Sequence, residues 1–438
     1  MICISLPGPS LEDLQQQLKS ASSVADLIEF RLDLYDHPSI IRQVQEQCTL
    51  PFILTLRPKA HGGAFVGTEE ERLKILHSLL DLNPEYVDLE NFVPMDRIRD
   101  WPSETKIIRS HHDFSGTPKD LKGLLNDLTK NPAAIYKIAT TAESTLDALN
   151  LLHLAKTSTE PLTVMAMGEK GSCSRILGPV VGCPFVYAAL SEDLCTAPEQ
   201  ISAHELREVY NYSNLNPSTA LYALLGDPIH QSVGHLFHNA YMRDHNALYT
   251  KLHVTADELE TTLSLAVELG FQGFSVTIPH KEKILPLLDE VDTNAQKIGA
   301  VNTVTVKEGK LYGSNTDAGG ALDALEHVAP VSGQKMVLLG AGGANRAVAF
   351  EAKRRGADLV ILNRDTSRAE RLAKELSCEW GSLSDFPEIP YTILVNGTPN
   401  QMPIDSKDIK KGTTVMDLSI TPKETELLKA AKALDCKI

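Results

Sequence analysis

The chain has 438 residues, of which 42% are hydrophobic and 23% are charged, a composition typical of globular proteins rather than of disordered or fibrous chains. At roughly 150 residues per domain, this length predicts about three domains. The 57 acidic residues outnumber the 42 basic ones and give a formal net charge of −15, which argues against a nucleic-acid partner.

No apolar run approaches the roughly 18 residues that a membrane-spanning helix requires, so we expect no membrane partner. Met1 opens a strand-like segment without a basic leader, and we therefore expect a cytoplasmic protein. The seven cysteines lack the spacing of zinc ligands and the pattern of a disulfide framework. They predict reduced thiols and no metal site.

Short apolar or alternating segments recur through the first 210 residues, with helical periodicity between them. Alternation of strands and helices favours parallel pairing through crossover helices. The pattern predicts an α/β fold that begins with a (β/α)8 TIM barrel. The eight predicted strands are Ile2–Leu6, Leu27–Leu34, Phe52–Arg57, Tyr86–Glu90, Lys106–His111, Ile135–Thr140, Leu162–Met167 and Phe185–Leu190.

A polar segment, residues 211–218, predicts a domain boundary. A helix is predicted over Leu259–Leu269 and ends at Gly270. Two of the later strands fit a hairpin that turns at Glu308 and Gly309. The strands predicted beyond the boundary are Tyr222–Gly226, Ala247–Val254, Gly273–Pro279, Val301–Val306, Lys310–Gly313, Met336–Leu339 and Leu359–Leu362.

Charged residues alternate along the second predicted strand. Glu29, Arg31 and Asp33 share one face, which points into the lumen if the apolar face packs under the barrel helices. They predict either a structural layer of salt bridges or a polar substrate site at the barrel mouth. Arg57 and Arg175, each near a Gly-rich stretch, would add guanidinium groups suited to a carboxylate substrate.

His112 lies just past the fifth predicted strand, and Lys137 lies inside the neighbouring sixth. Both would lie at the carboxyl-terminal end of the barrel, where such enzymes carry out their chemistry. Lys137 stands in an otherwise apolar strand, so burial is expected to lower its pKa and to make the amine a nucleophile toward a ketone. The alternative is a lysine that only extends its amine from a strand end to solvent.

Seven motifs stand out in the predicted barrel. They are Glu29-Phe30-Arg31, Thr55-Leu56-Arg57, Ser110-His111-His112-Asp113-Phe114, Tyr136-Lys137-Ile138-Ala139, Met165-Ala166-Met167-Gly168, Ser174-Arg175 and Ala197-Pro198-Glu199-Gln200. They resemble those of the type I 3-dehydroquinate dehydratases, over about residues 1–205. The resemblance implies that Lys137 forms a Schiff base with the ketone of the substrate and that His112 removes the neighbouring proton. It implies substrate contacts from Ser5, Glu29, Arg31, Arg57, Arg175, Thr196 and Gln200.

A glycine-rich segment, Gly340-Ala341-Gly342-Gly343-Ala344, joins a predicted buried strand to a predicted helix. In that context it predicts a dinucleotide-binding Rossmann domain, with the pyrophosphate at the helix amino terminus; a simple tight turn is the alternative. Asn363 and Arg364 follow the next strand, where an NAD enzyme usually has an acidic residue. Arg364 and nearby Arg368 suit a 2′-phosphate, so we expect NADP as the cofactor.

Five further motifs stand out beyond the domain boundary. They are Gly226-Asp227-Pro228-Ile229-His230-Gln231-Ser232, His238-Asn239, Ser275-Val276-Thr277-Ile278-Pro279-His280-Lys281, Gly299-Ala300-Val301-Asn302-Thr303 and Asn315-Thr316-Asp317. They resemble those of shikimate dehydrogenases, over about residues 219–430. The resemblance implies that Lys281 and Asp317 form the catalytic pair at the substrate hydroxyl and that Ser232, Thr277 and Asn302 bind the substrate. The chain ends before the segment in which that family has its last helix, so we expect an incomplete carboxyl-terminal end.

Together the two resemblances imply a bifunctional enzyme of the shikimate pathway, which converts 3-dehydroquinate to 3-dehydroshikimate and reduces that product to shikimate with NADPH. We expect a barrel over residues 1–212, a shikimate-binding α/β domain over 219–317 and a Rossmann domain over 318–438. Two alternatives stay open. The dehydrogenase half could prefer quinate or be inactive, since Gly234-His235 replaces the usual Ser-Pro; or the protein could be a non-catalytic sensor of pathway intermediates.

Overall fold

The computed structural model describes residues 1–191, 194, 200–419 and 422–438. The chain divides into two compact units, Met1–Ile278 and Pro279–Ile438. None of the helices in these described ranges has the length and apolarity needed to cross a membrane.

The first unit begins with eight parallel strands, so the predicted amino-terminal barrel is confirmed. Their order in the sheet is β7-β6-β5-β4-β3-β2-β1-β8. Thr163 in β7 donates a hydrogen bond of 3.1 Å to the carbonyl of Phe185, one residue before β8, so the two ends of the sheet meet. The strands are β1 (Ile2–Leu6), β2 (Leu27–Arg31), β3 (Phe52–Thr55), β4 (Tyr86–Glu90), β5 (Ile107–Asp113), β6 (Ile135–Thr141), β7 (Leu162–Met167) and β8 (Val186–Ala188).

Seven helices accompany these strands within the described ranges. Between β4 and β5 the chain forms only a 3-10 turn, Met95–Ile98, in place of a crossover α-helix. Pro94 and Pro102 bracket that segment, and proline restricts helix growth because it lacks the amide donor and constrains the residue before it. The helices are α1 (Leu11–Ala21), α2 (Ile41–Val44), α3 (Glu69–His77), α4 (Leu121–Leu128), α5 (Thr145–Thr157), α6 (Cys173–Leu177) and α7 (Ala203–Glu208).

The barrel interior has an apolar layer and a polar layer. Side chains two residues apart on a strand share a face, so each strand that places an apolar residue deep in the lumen can place a polar one nearer its carboxyl end. The apolar layer includes Cys3, Leu27, Ile53, Ile108, Ile135, Met165 and Tyr187. On five of these strands a buried polar residue lies two positions farther toward the carboxyl end. These residues are Ser5, Glu29, Thr55, Ser110 and Lys137.

The rest of the first unit is a parallel three-stranded segment in the order β10-β9-β11. The predicted helix α9 has the predicted bounds and ends at Gly270, whose φ of +100° suits glycine. Lys156, in the last turn of α5, donates hydrogen bonds to the carbonyls of Glu268 (3.1 Å) and Leu269 (2.7 Å). The elements are β9 (Ala220–Gly226), α8 (Gly234–Met242), β10 (Ala247–His253), α9 (Leu259–Leu269) and β11 (Phe271–Val276).

The second unit contains the predicted hairpin, which is confirmed: β13 and β14 pair antiparallel around Glu308 and Gly309. Both turn residues have positive φ, 52° and 76°, as a tight hairpin turn of this kind requires. The elements are α10 (His280–Lys283), β12 (Glu290–Val291), α11 (Thr293–Ile298), β13 (Thr303–Lys307), β14 (Lys310–Ser314) and α12 (Asp317–Glu326).

A five-stranded parallel sheet completes the second unit, with the order β17-β16-β15-β18-β19 and helices between its strands. The strand order reverses direction beside β15, which is where open α/β sheets bind ligands. The predicted Rossmann arrangement is therefore confirmed. The elements are β15 (Lys335–Leu339), α13 (Gly343–Arg354), β16 (Asp358–Leu362), α14 (Thr366–Leu376), β17 (Glu379–Gly381), β18 (Ile393–Asn396), β19 (Thr414–Asp417) and α15 (Glu426–Ala433).

Candidate active sites

A cavity of about 110 Å³ lies in the barrel, near the carboxyl ends of its strands. It brings together residues that are up to about 195 positions apart in the sequence. Thr196, also predicted to contact substrate, lies outside the described residues. The sequence-predicted residues that line the cavity are Ser5, Glu29, Arg31, Arg57, His112, Lys137, Arg175 and Gln200.

Lys137 is almost fully buried on β6, beside Ser110 of β5 in the strand register. Its ammonium group donates a hydrogen bond to the carboxylate of Asp88 and another, of 3.3 Å, to the hydroxyl of Tyr187. The sequence indicates the apolar strand around Lys137 but not this carboxylate partner. The neighbours along β6 are apolar, but the side chain points into the lumen, where charged groups from other strands meet it.

The carboxylate of Asp88 contacts two cationic side chains. Besides Lys137, its carboxylate lies 2.9 Å from Nη2 of Arg57 and accepts a 2.6 Å hydrogen bond from the hydroxyl of Ser110. Burial favours the neutral acid, but the positive charges of Arg57 and Lys137 outweigh it and hold the pKa of Asp88 well below its usual range. Asp88 is therefore a permanent anion beside the lysine.

His112 lines the same cavity, whereas the neighbouring His111 does not, because successive residues of β5 face opposite sides. Burial, reinforced by the positive charges of Arg57 and Lys137, puts the pKa of His112 well below its ordinary value. Nδ1 of His112 is buried and has no hydrogen-bond partner among the described residues. The imidazole is thus neutral at pH 7 and able to accept a proton.

The charged residues of β2 and the turn after it adopt two different arrangements. Arg31 forms a two-pronged pair with Asp33, with nitrogen–oxygen distances of 3.0 and 2.8 Å. Glu29 instead accepts hydrogen bonds from the hydroxyls of Ser5 (2.5 Å), Thr55 (2.8 Å) and Tyr187 (3.1 Å). The lumen therefore holds a structural ion pair and also a hydroxyl-bonded carboxylate that lines the cavity.

Sequence reasoning missed two acidic residues of this lumen, Asp88 and Glu90 on β4. Glu90 accepts a 2.6 Å hydrogen bond from Nη1 of Arg57, and its exposed fraction is only 2%. The signal was present, because β4 alternates acidic and apolar residues in the same way as β2. Tyr187 was missed as well, since a tyrosine in an apolar strand carries no such signal.

In the second unit, Lys281, Asp317 and Asn302 form one hydrogen-bonded group. Nζ of Lys281 lies 2.5 Å from Oδ2 of Asp317. The amide of Asn302 donates to Oδ1 of Asp317 at 2.7 Å and to the hydroxyl of Thr316 at 3.0 Å. Lys281 and Asp317 keep 28% and 37% of their side chains exposed, so an ammonium–carboxylate pair is open to a small molecule.

The other two predicted substrate residues, Ser232 and Thr277, lie in the first unit. Ser232 stands in the segment between β9 and α8, and Thr277 follows β11 directly. Both therefore come after parallel strands, at the carboxyl end of the β10-β9-β11 segment. Each is partly exposed. The backbone amide of Thr277 donates a 2.9 Å hydrogen bond to the carbonyl of Leu225, which fixes its position beside β9.

The glycine-rich turn after β15 forms one wall of a cavity of about 500 Å³. Gly343 lines an adjoining cavity of about 460 Å³, and Ala344 follows it in the first turn of α13. Asp365 uses its carboxylate to cap α14, with a 3.1 Å hydrogen bond from the amide of Ser367. The predicted residues that line the larger cavity are Gly340, Ala341, Gly342, Asn363, Arg364 and Arg368.

The residues that line this larger cavity fit a dinucleotide with a 2′-phosphate. Gly340 has a φ of +104°, and a side chain there would meet Thr398 at 2.9 Å, so only glycine keeps the wall open. The first turn of α13 presents unpaired amide groups to anions. Arg364 is exposed and has no ion-pair partner in the described part of the chain, which leaves its guanidinium available to phosphate. No cluster of metal-ligating side chains occurs among the described residues.

Comparisons with known proteins match both halves of the chain. A type I 3-dehydroquinase profile matches residues 2–217, and a profile for the shikimate dehydrogenase substrate binding domain matches residues 224–304. The chloroplastic bifunctional 3-dehydroquinate dehydratase/shikimate dehydrogenase of Arabidopsis thaliana is 34% identical and covers 99% of this chain and 78% of its own length.

Two further relatives agree with this match. The shikimate biosynthesis protein AroDE of Chlamydia pneumoniae is 32% identical, with coverage of 99% of this chain and 90% of the relative. A shikimate dehydrogenase (NADP(+)) of Methanocaldococcus jannaschii is 39% identical and covers 51% of this chain and 86% of that protein. The chain therefore belongs to the family of bifunctional 3-dehydroquinate dehydratase/shikimate dehydrogenase proteins.

Proposed function

We propose that this chain catalyses two consecutive reactions: the removal of water from 3-dehydroquinate, and the NADPH-dependent reduction of the resulting 3-dehydroshikimate to shikimate. The observation that carries the proposal is a barrel cavity lined by both Lys137 and His112. We assign dehydration to residues 1–212, shikimate binding to 219–317 and NADP binding to 318–438.

In the first reaction, the amine of Lys137 attacks the ketone carbon, and water leaves as the C=N bond of a Schiff base forms. The attacking amine must first lose its proton to solvent, because Asp88 stays ionised and cannot hold it. Asp88 and Arg57 then flank the positive iminium with one charge of each sign, so the iminium keeps a carboxylate partner in the lumen.

His112 supplies the proton transfers of this reaction. The neutral imidazole removes a proton from the carbon next to the iminium, and the electron pair of that C–H bond moves toward the iminium nitrogen. The protonated imidazole then returns a proton to the hydroxyl that departs as water, and a C=C bond forms. Hydrolysis of the Schiff base releases 3-dehydroshikimate and restores the amine of Lys137.

Substrate contacts in the barrel are proposed for residues that carry cationic, anionic and hydroxyl groups. Arg31, Arg57 and Arg175 suit the carboxylate of 3-dehydroquinate, because guanidinium groups bind carboxylates with two parallel hydrogen bonds. Glu29 and Ser5 suit its ring hydroxyls. Gln200 and Thr196 are assigned as further contacts, by resemblance to the family.

In the second reaction, Lys281 and Asp317 hold a proton at the substrate oxygen. During reduction the ammonium of Lys281 donates a proton to the oxygen on which negative charge develops, and Asp317 keeps that ammonium in place through its 2.5 Å hydrogen bond. Asn302 orients Asp317 and is assigned to the substrate as well. Ser232 and Thr277 are assigned as the residues that bind the carboxylate and ring hydroxyls.

NADPH, when bound, supplies the hydride of this reaction. Gly340, Ala341, Gly342, Gly343 and Ala344 would hold the pyrophosphate at the start of α13. Arg364 and Arg368 would bind the 2′-phosphate, and Asn363 the adjacent ribose. The relative from Methanocaldococcus jannaschii bears NADP(+) in its name, which supports this assignment.

The dehydratase assignment is tested by incubating the protein with 3-dehydroquinate and sodium borohydride, followed by peptide mass spectrometry. We expect a reduced adduct on Lys137, because borohydride converts the Schiff base to a stable amine. A Lys137→Arg variant keeps the charge and should give no adduct. Labelling at another residue, or none in the wild type, would reject the assignment.

The dehydrogenase assignment is tested by following NADP+ reduction with shikimate and with quinate as alternative substrates. We expect the larger kcat/KM with shikimate. A preference for quinate would reassign the substrate of this half. Absence of oxidation of either substrate, together with adduct formation on Lys137, would restrict the activity of the chain to dehydration.

A further inference from the structure

Six side chains in the first unit form one continuous chain of alternating charge. It begins at Lys137 in the lumen and ends on the outside of the barrel at Glu69, whose side chain is 35% exposed. Each member contacts the next, and the sign changes at every step. In order, the members are Lys137, Asp88, Arg57, Glu90, Arg72 and Glu69.

Arg72 is the member that lies outside the lumen and yet is fully buried. It belongs to α3, and its exposed fraction is 0%. Nη2 of Arg72 lies 2.8 Å from Oε2 of Glu90 and 2.7 Å from Oε1 of Glu69. Nη1 donates a 2.9 Å hydrogen bond to the carbonyl of Leu56, the residue just before Arg57. Arg72 thus holds both Glu90 and the backbone next to Arg57.

Burial of an arginine in a crossover helix has a large desolvation cost. The two carboxylates and the carbonyl around Arg72 offset that cost, so Arg72 is part of a buried ion-pair network rather than of a surface pair. Glu90 has two cationic partners, Arg57 in the lumen and Arg72 behind it. If Arg72 were absent, Glu90 would keep only Arg57 as a cationic partner. One positive charge would also be lost from the buried region behind the lumen, where the dielectric constant is low.

We propose that Arg72 is a positioning residue for the dehydratase: through Glu90 it holds Arg57 against Asp88, and its charge thereby sets how readily Lys137 exists as a free amine. This role depends on the proposed Schiff-base function of Lys137. Arg72 itself touches neither the cavity nor the reacting atoms.

The sign of the effect follows from the charges that face Lys137. Asp88 and Glu29 favour the ammonium, whereas Arg57 and Arg175 oppose it. His112 is neutral at pH 7 because its pKa is lowered by burial and by nearby cations, and Tyr187 and Cys3 are neutral because burial raises the pKa of each. Loss of Arg72 removes one opposing charge, and the amine then forms only at higher pH. Neutralisation of Glu90 removes a favouring charge and acts in the opposite direction.

The test is the pH profile of dehydratase kcat/KM and of borohydride trapping on Lys137 in the full chain. In Arg72→Gln we expect the acidic limb of both profiles to move up by about half a pH unit or more, the order expected for one charge at intermediate dielectric constant. In Glu90→Gln the acidic limb of both profiles should move to lower pH. Arg72→Lys, which restores the charge without the two-pronged geometry, should bring the midpoint back toward the wild type.

The matched control is Lys74→Gln on the same helix. Lys74 pairs with Glu70 at the surface, where both side chains are more than 65% exposed, so the variant loses the same charge without touching the chain. Its pH profile should equal that of the wild type. Circular dichroism shows whether each variant is folded. If Arg72→Gln does not fold, a downward shift in Glu90→Gln together with a profile near the wild type in Arg72→Lys supports the proposal, and an unshifted Glu90→Gln overturns it.

Profiles of Arg72→Gln and Glu90→Gln that coincide with the wild type would overturn the positioning role. A shift of equal size in Lys74→Gln would overturn it too, since any lost charge would then suffice. These outcomes are distinct from failure of the proposed function, in which the wild-type protein itself forms no adduct at Lys137.

Discussion

Inside the barrel, the ammonium group of Lys137 contacts the carboxylate of Asp88, whose Oδ2 also lies 2.9 Å from Nη2 of Arg57. One carboxylate therefore contacts two buried cations, and Glu90 is the second anionic partner of Arg57. This arrangement gives the reactive lysine a carboxylate partner in a low-dielectric lumen, and the cavity that the lysine lines is also lined by His112.

We expect Asp88→Asn to lower the free energy of unfolding by about 3–5 kcal/mol, because Lys137 and Arg57 lose their shared counter-ion in the buried lumen. The acidic limb of dehydratase activity should move to lower pH, since the ammonium of Lys137 is no longer stabilised by a carboxylate. Denaturant unfolding and the pH profile measure the two effects. Asp81→Asn, at an exposed pair with Arg42, is the control and should behave as the wild type.

The pKa of Asp88 also predicts a pH dependence of stability. Because the pKa of Asp88 in the folded protein is held well below its ordinary value near 3.9, the ionised carboxylate stabilises the fold above that value. The contribution is lost as the pH falls below about 4, when the unfolded chain takes up the proton first. The difference in unfolding free energy between the wild type and Asp88→Asn should therefore narrow below pH 4, and a constant difference would contradict the assignment.

We expect His112→Gln to reduce dehydratase kcat by a factor of about 10² to 10⁴, the usual contribution of general acid–base catalysis. Schiff-base formation does not require the imidazole, so borohydride should still label Lys137 in this variant. The pKa of His112 is depressed by burial and by Arg57 and Lys137, and no loss of activity from imidazole protonation is expected near pH 6. His111→Gln, on the opposite face of β5, should retain activity.

Arg364→Ala should weaken NADP+ binding about tenfold or more and leave NAD+ binding nearly unchanged, because only NADP+ carries a phosphate for the guanidinium to bind. Fluorescence titration with each dinucleotide measures the two dissociation constants. Lys374→Ala, which removes an exposed cation from α14, is the matched control. Equal losses for the two dinucleotides would refute the role of Arg364.

Lys156→Met should destabilise the end of α9 by about 1 kcal/mol, because the terminal carbonyls of Glu268 and Leu269 lose a cationic donor. Methionine keeps the apolar stem of the side chain. Hydrogen exchange should become faster for amides in the last turns of α9 and stay unchanged in β1 to β8. Faster exchange throughout the barrel would show a global effect instead.

How far the sequence predicts this protein depends on how local each signal is. Helix α9 has the predicted bounds because Gly270, next to its last residue, supplies the left-handed cap. The hairpin is predicted correctly because Glu308 and Gly309 are the turn itself. The crossover between β4 and β5, by contrast, lacks the α-helix of the repeating barrel pattern, and only its two prolines signal this.

Some residues of the barrel site have a signal in the sequence and others do not. Sequence alone indicates Lys137 and His112, through their places on two neighbouring strands and through a resemblance that spans the barrel. It does not indicate that Asp88, 49 residues away, meets the amine of Lys137. The surroundings of a strand residue are set by side chains on other strands, so the apolar neighbours of Lys137 along β6 do not reveal the charged groups that it meets in the lumen.

The sequence by itself determined the order of strands and helices, the barrel and Rossmann classes, and the residue types available for chemistry, because these depend on periodicity and on turns within a few residues. The tertiary structure decided which charges neutralise one another. The path from Lys137 through Arg57 to Arg72 joins β6, the end of β3 and α3, and ion pairs of this kind depend on strand register and helix packing, which bring distant residues within 3 Å of one another.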